Sequence, residues 1–349
     1  MTALKIDIDN CRYKAMIGTG GIGSGQFFLL SGDHTLGREE SRSGRFIDRK
    51  DYCKLHIIAH YVQTLLGPEF PVFPIGKVGD DQIGDGLFEE MKQVGMDMKY
   101  VERAPGGQTL FSFCFIYPDG SGGNLTTDDS ASSKVDAAFI SKAGPEFSRF
   151  AGQGIALTAP EAPLEARDRL LTLATEHNFF RAASFTSEEM SSALESGMLR
   201  NTDLLAINLD EAAAAAGKSA ESNTPLSIIK AAIKTFGDTN PEMQISITNG
   251  RDGSWCWDGV ALNHAPAHAV QVVSTAGAGD AYFAGLIVGL TAGLSLPEAQ
   301  QLGTLVGGVS VTSPHTINKE LNRDALRRLA KKPGAGISQK VHNLLEDES

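Results

Sequence analysis

Ser274-Thr275-Ala276-Gly277-Ala278-Gly279-Asp280 is the stretch on which the reading of this chain turns. It leads into Ala281 to Leu290, an apolar run that reads as a helix. Gly277, Ala278 and Gly279 carry almost no side chain, so their N–H groups would lie open at a helix N-terminus. Unpaired donors and the positive end of the helix dipole favour an anion there. A carboxylate at Asp280 would be repelled by a bound phosphate unless it takes part in the chemistry. One such part is to accept a proton from a hydroxyl while the amides hold the phosphoryl group it attacks. The plain alternative is a small-residue turn with an Asp at a helix start, which is common, so the rest of the chain has to decide.

The 349 residues suffice for one large domain with a lesser element. A hydrophobic content of 42% with 21% charged residues is that of a globular chain rather than a disordered one. The formal net charge of −11 disfavours nucleic acid and anionic membranes as partners, and an anionic substrate would need local donors that override that field. Cys11, Cys53, Cys114 and Cys256 are scattered, which fits reduced thiols better than a disulfide framework or a zinc site. With no basic-then-apolar leader pattern and no apolar run of ~18 residues, a cytoplasmic location is expected.

Three features are decoys. Gly18-Thr19-Gly20-Gly21-Ile22-Gly23 matches GxGxxG, but the continuation Ser24 to Leu30 is β-like and stopped by Gly32, so the helix a dinucleotide fold needs is missing. His56 and His60 share a helix face at a zinc-compatible spacing, yet lack a third ligand and are read as ordinary helix residues. Gly76-Lys77 lacks the upstream glycine and following Ser/Thr of a Walker loop. Asp33 to Lys50 is polar and glycine-punctuated, suggesting a loop or exposed hairpin. Thr109 to Tyr117 alternates with Phe111, Phe113, Phe115 and Tyr117 on one face, and Pro118-Asp119-Gly120 supplies a turn. That pattern suggests a small separate sheet acting as a lid, or simply core aromatics.

From Gly154 the rhythm is regular. Strands at Ile155 to Leu157, Ala182 to Phe185, Leu204 to Ile207 and Ile245 to Thr248 alternate with helical stretches, including Ser187 to Leu199 and Leu226 to Phe236. This predicts βαβ units and a parallel sheet covered by helices on both faces. Ligands in such sheets sit beyond the carboxyl ends of the strands, where Asn208, Thr248-Asn249-Gly250 and the Gly-Ala-Gly-Asp turn would lie. The stretch from Lys331 is basic, then broken by Pro and Gly, then acidic, and carries no expected function.

Ser274 through Ile287, with small residues at Ala284 and Gly285, resembles the second signature of the PfkB/ribokinase-type carbohydrate kinases. Gly76 to Gly84 is similar to that family's GxVGxDxxG strand-turn, Asn208-Leu209-Asp210-Glu211 to its NxxE motif, and Thr248-Asn249-Gly250-Arg251-Asp252-Gly253 to its nucleotide loop. The resemblance implies an α/β fold, a ribokinase-like three-layer sandwich with a mostly parallel central sheet and a small β lid. The domain would span residues 1–330, with lid segments near 32–50 and 105–130 and a tail over 331–349. It further implies transfer of the γ-phosphoryl group of ATP to an alcohol, with Mg²⁺. Asp280 would be the base and Gly277, Ala278 and Gly279 the anion hole. Glu211, with Asn208, would position hydrated Mg²⁺. Thr248, Gly250 and Gly253 would hold nucleotide phosphates, and Thr304 and Gly307 would lie near adenine.

The acceptor half departs from the family. The acid usually found after the first strand is replaced by Ser24-Gly25-Gln26, and the GGxxxN motif by Asp51 to Ile58. Gly25, Gln26, Asp51, Lys54 and Glu161 are therefore the candidate substrate residues, and a sugar, a nucleoside or a related small-molecule alcohol is the expected acceptor. A homodimer through the lid is an open candidate assembly. A binding module without catalysis is the competing reading, although a bare carboxylate facing phosphate would serve no purpose in one.

Overall fold

The computed structural model describes residues 2–119, 121–219, 222–334 and 336–346; Gly120 of the expected turn and Asp347, Glu348 and Ser349 of the expected tail lie outside them. The chain enters the core on β1 (Ala15–Thr19), buried on both faces. It leaves through β2 (Gly23–Leu30) and β3 (Gly44–Tyr52) and returns as α1 (Lys54–Leu66), β4 (Val72–Gly79), α2 (Gln82–Val94) and β5 (Tyr100–Ala104). β6 (Leu110–Ile116) and β7 (Gly122–Thr126) follow, then the short α3 (Ala137–Ser141) and α4 (Gly144–Arg149). The anticipated alternation then runs through β8 (Gly154–Thr158), α5 (Leu164–Glu176), β9 (Phe180–Ala183), α6 (Met190–Ser196), β10 (Leu204–Asn208), α7 (Leu209–Ala215), α8 (Pro225–Thr239) and β11 (Gln244–Thr248). The antiparallel pair β12 (Ser254–Trp257) and β13 (Leu262–Ala265) closes that edge, before α9 (Ala278–Thr291), α10 (Leu296–Ser310), α11 (Arg323–Ala330) and α12 (Gln339–Leu345).

Two sheets result among the described residues. The larger has the order β13-β12-β11-β10-β9-β8-β1-β4-β5, parallel from β11 to β5. Its central strands β1 and β8 are buried at every position because helices cover both faces. The smaller has the order β3-β2-β6-β7. Residues 339–345, anticipated as tail, instead belong to the core: Val341 and Leu345 are fully buried, and Lys5 N–H donates to Leu344 O at 2.9 Å. The helix expected over Ser187 to Leu199 is shorter, because Gly197 adopts a left-handed φ of 82° and ends α6.

The smaller sheet has two unlike faces. Gly25, Ser112 and Cys114 face the body of the protein, whereas Phe28, Phe46 and Phe113 cluster on the outer face with ring centroids 5.1 and 5.6 Å from Phe28. Phe46 is 59% exposed and Leu125 63%. The aromatic alternation forms the strand β6, but its rings point away from the site, neither filling the core nor lining a substrate pocket. β3 is pinned to the body by Tyr52 N–H donating to Thr316 Oγ1 (2.9 Å) and Lys50 N–H donating to His315 Nδ1 (3.0 Å).

α1 is buried along nearly its whole length and packs against α9. Both ring nitrogens of His56 and Nδ1 of His60 are buried without a hydrogen-bond partner. The edge of Tyr52 lies against His56 at 4.8 Å, and Glu90 accepts from Tyr52 and pairs with Lys319 nearby. Burial holds His56 down at about 3, aided by the neighbouring His60, and holds His60 at about 4. In the unfolded chain both would take a proton near 6.5, so acidification favours unfolding below that value. The urea midpoint is expected to fall as pH drops from 7 towards 5. His56→Leu should make that slope shallower; equal slopes for the two proteins would contradict this account.

Candidate active site

The turn before α9 is fixed by sterics. Gly277 is its N-cap, with φ of 75°, and a Cβ there would meet Thr316 O at 2.9 Å. Gly279 differs: a Cβ there would meet nothing within 4 Å, so the space above it is open. Ala278 N–H is drawn back onto Thr275 O at 3.2 Å, which leaves Gly279 and Asp280 as the next amides of the helix's first turn. α9 itself is held down by Tyr282, whose hydroxyl shares a 2.6 Å hydrogen bond with Ser246 of β11. It approaches α10 so closely that a Cβ on Gly285 would sit 2.8 Å from the Gly303 Cα.

Asp280 projects from this turn into a cavity of ≈ 190 Å³ lined by Lys54, Asn208, Glu211, Thr248 and Gly279 among others. Burial pushes its carboxyl up to about 7, opposed by the Lys54 ammonium and assisted by the negative charges of Glu161, Glu211 and Asp51. Such a carboxyl is balanced for accepting a proton near neutral pH.

Asn208 ends β10 and caps α7. Its Oδ1 accepts from Glu211 N–H at 2.9 Å, while Glu211 Oε2 accepts from Asn208 N–H at 2.8 Å. This reciprocal capping box follows from the Asn-x-x-Glu spacing. It locks the Glu211 carboxylate over the cavity, and among the described residues no hydrogen bond engages Oε1. Burial raises the Glu211 carboxyl, so a cation there would be welcome. No group of three metal-ligating side chains gathers among the described residues, so the donor set suits an ion that keeps most of its waters, as Mg²⁺ does.

Thr248 ends β11 directly beside Asn208 in the parallel register. The loop after it is tight: Asn249 N–H donates to Gly253 O at 2.8 Å, and the left-handed Gly253 passes so close to Ala265 O that no Cβ fits. Gly250, also left-handed, faces open space. Thr304 and Gly307 sit on α10 beside this region, with Gly307 against Ala278 O of α9 and Thr304 Oγ1 3.5 Å from His268 Nε2.

The candidate substrate residues come from distant segments. Asp51 pairs across the lid with Gly25, whose missing Cβ makes room for it. Burial raises the Asp51 carboxyl although Cys114 donates to it at 3.4 Å. Glu161 follows β8 with φ of 71°, a conformation costing a non-glycine residue roughly 1–3 kcal/mol. Its Oε2 accepts from Lys54 N–H at 3.0 Å, and its Oε1 lies 4.0 Å from Lys54 Nζ. Gln26 alone is set apart: it is exposed on the outer face of β2, opposite to Gly25. Four further residues border these candidates: Ser112 pairs with Gly25, Cys114 and Thr316 lie against Asp51, and His268 lies beside Thr304. For Ser112 and Cys114 a signal existed, since they alternate with the aromatics of β6; for Thr316 and His268 nothing local marks them.

A family model described as pfkB family carbohydrate kinase matches residues 58–323. The chain belongs to that family of carbohydrate-kinase enzymes. Fructoselysine 6-kinase of Escherichia coli (strain K12) is 40% identical to it over 60 residues, 17% of this chain and 23% of that protein. Inositol 3-kinase of Zea mays is 43% identical over 75 residues, 21% of this chain and 20% of that protein. The matched stretch thus spans less than a quarter of either relative. Ribokinase from Cryptococcus neoformans var. grubii serotype A in complex with ADP superposes with a TM-score of 0.74 at 19% identity, covering 90% of this chain and 99% of that one. Arabidopsis thaliana ribokinase complexed with ribose and ATP gives 0.70 at 17% identity, covering 92% and 99%. The fold is ribokinase-like. Among the described residues no helix is long and apolar enough to cross a membrane.

The two glycines of the turn should separate on substitution. Gly279→Ala is expected to leave the melting temperature within about a degree, since the methyl enters open space, while blocking an anion at the amides. Gly277→Ala should destabilise by roughly 1–3 kcal/mol because it is strained and meets Thr316 O. Equal melting temperatures for both variants would refute this division.

Proposed function

We propose that the protein is an ATP-dependent kinase that moves the γ-phosphoryl group to an alcohol of a sugar, nucleoside or related small molecule. The observation that carries this reading is one cavity shared by Asp280, at the amide-rich start of α9, and the locked Glu211–Asn208 pair. Asp280 takes the proton of the acceptor hydroxyl. The amides of Gly277 and Gly279 face the phosphoryl oxygens and stabilise the charge that develops there, while the Ala278 N–H, held by Thr275 O, closes the turn between them. Glu211 would hold hydrated Mg²⁺, whose charge would offset that of the phosphates. Thr248, Gly250 and Gly253 bind the nucleotide phosphates, and Thr304 and Gly307 adjoin the adenine. Gly25, Asp51 and Glu161 form the acceptor side, with Lys54 between it and the phosphates and Gln26 outside it.

Fructoselysine 6-kinase and inositol 3-kinase both act, by name, on polyhydroxylated molecules, which supports a sugar or polyol acceptor. The four buried, unpaired cysteines support a reducing, cytoplasmic setting. The raised carboxyl of Asp280 opposes the alternative of a silent binding module, because a site built only to hold phosphate gains nothing from a carboxylate there.

Asp280→Asn is expected to cut turnover by at least about 100-fold in a coupled ADP assay on a panel of sugars, polyols and nucleosides, with nucleotide binding retained. Wild-type turnover in the variant would dismiss Asp280 as the base, and no ADP release with any alcohol would favour the binding module. Since the base works deprotonated, kcat/KM of the wild-type protein should rise with pH through about 7.

The exposed apolar outer face of the lid, centred on Phe28, Phe46, Phe113 and Leu125, supports a homodimer formed lid to lid. Sedimentation velocity should then report a dimer for the wild-type chain and a monomer for Phe46→Glu/Leu125→Glu; a monomeric wild-type protein at micromolar concentration would end this proposal.

A further inference from the structure

The cavity beside Asp280 places a single ammonium among several carboxylates, and binding an alcohol is a poor use of it. Lys54 is the first residue of α1, its backbone fixed by the Glu161 carboxylate at 3.0 Å. Its side chain, about a third exposed at 32%, reaches the cavity that Asn208, Glu211, Thr248, Gly279 and Asp280 also line. The carboxylates whose fields act on it come from three separate elements: Asp280 on α9, Glu161 after β8 and Glu211 on α7. The ammonium therefore shares one small space with the proton acceptor and with the carboxylate at the nucleotide phosphates. A phosphoryl group moving from nucleotide to alcohol crosses that space.

We propose that Lys54 is a catalytic residue of the transfer, donating N–H bonds to the non-bridging oxygens of the γ-phosphoryl group as it moves; this rests on the kinase reading above. In the step, the acceptor oxygen gives its proton to Asp280 and bonds to the γ-phosphorus. The bond from that phosphorus to the β–γ bridging oxygen breaks, and its electron pair leaves with ADP. Lys54 keeps its own protons throughout. A lysine suits the task because its compact ammonium carries three rotatable donors that can follow the oxygens. The surrounding carboxylates keep it charged and aimed before the nucleotide arrives, which is the preorganisation that electrostatic catalysis requires.

The test uses the full chain with Lys54→Met and Lys54→Arg, calorimetry of ATP and of ADP in the presence of Mg²⁺, and kinetics on the acceptor found in the alcohol panel. Lys54→Met is expected to weaken ATP binding about 10-fold or more while ADP stays within about twofold, since only ATP offers the γ-oxygens. Its kcat should fall on the order of 10²–10³-fold, with Lys54→Arg recovering part of the loss. The acid limb of kcat/KM should also move to higher pH, because the charge that opposes protonation of Asp280 is gone. Equal losses for ATP and ADP, or an effect confined to KM for the alcohol, would overturn the proposal. A wild-type chain inactive on every alcohol would defeat the kinase reading instead, and the ATP-over-ADP comparison would still decide whether Lys54 meets the γ-phosphate.

Discussion

The close approach of α9 to α10 is the constraint on which the rest of the structure depends. Gly285 faces Gly303, Gly289 faces Ala299, and Gly303 lies against Tyr282 O, each too near for an added Cβ. At such a seam two helices can dock backbone to backbone, and sub-ångström changes are felt because the core is close-packed. Seating α9 in this way, with Tyr282 tied to β11, brings its amide-rich start to the carboxyl ends of β10 and β11. The anion turn, the Asn208–Glu211 box and Thr248 meet there as a consequence. Gly277 then packs under Thr316, so the turn is braced from the side that also holds the lid strand β3.

The charge distribution of the site is uneconomical for a resting protein. Asp51, Glu161, Glu211 and Asp280 are each raised by burial, with Lys54 the cation that opposes the last three most directly. Add to this the left-handed φ of Glu161, and the cavity holds both electrostatic and backbone strain. Such concentrations of perturbed groups in a cleft mark functional sites, because the stability they cost is recovered only when ligands supply the missing charges. The fields of Asp280, Glu161 and Glu211 all act on the Lys54 ammonium, so a ligand that changed the charge near one of them would be felt by the others through it.

The lid shows how one alternating strand serves two surfaces. Ser112 and Cys114 of β6 turn a small polar face towards Asp51, while Phe111, Phe113 and Phe115 turn an aromatic face outward. Glycines at positions 44 and 123 lie under the rings of Phe28 and Phe115, where a Cβ would collide. An aromatic cluster of this kind, packed edge to face and left exposed on a small sheet, invites a partner surface.

Sequence alone determined what is local. The Gly-Ala-Gly-Asp turn and the Asn-x-x-Glu box each lie within a few residues, so helix-end physics fixes their geometry wherever they occur, and the strand–helix rhythm after Gly154 followed from hydrophobic periodicity. The tertiary structure decided everything that depends on which segments become neighbours. It brought Asp51 beside Gly25 and Cys114, Glu161 beside Lys54 and Thr316 beside Tyr52, turned Gln26 away by strand parity, and took residues 339–345 into the core. Register and long-range packing carry that information, and neither leaves a contiguous mark on the chain.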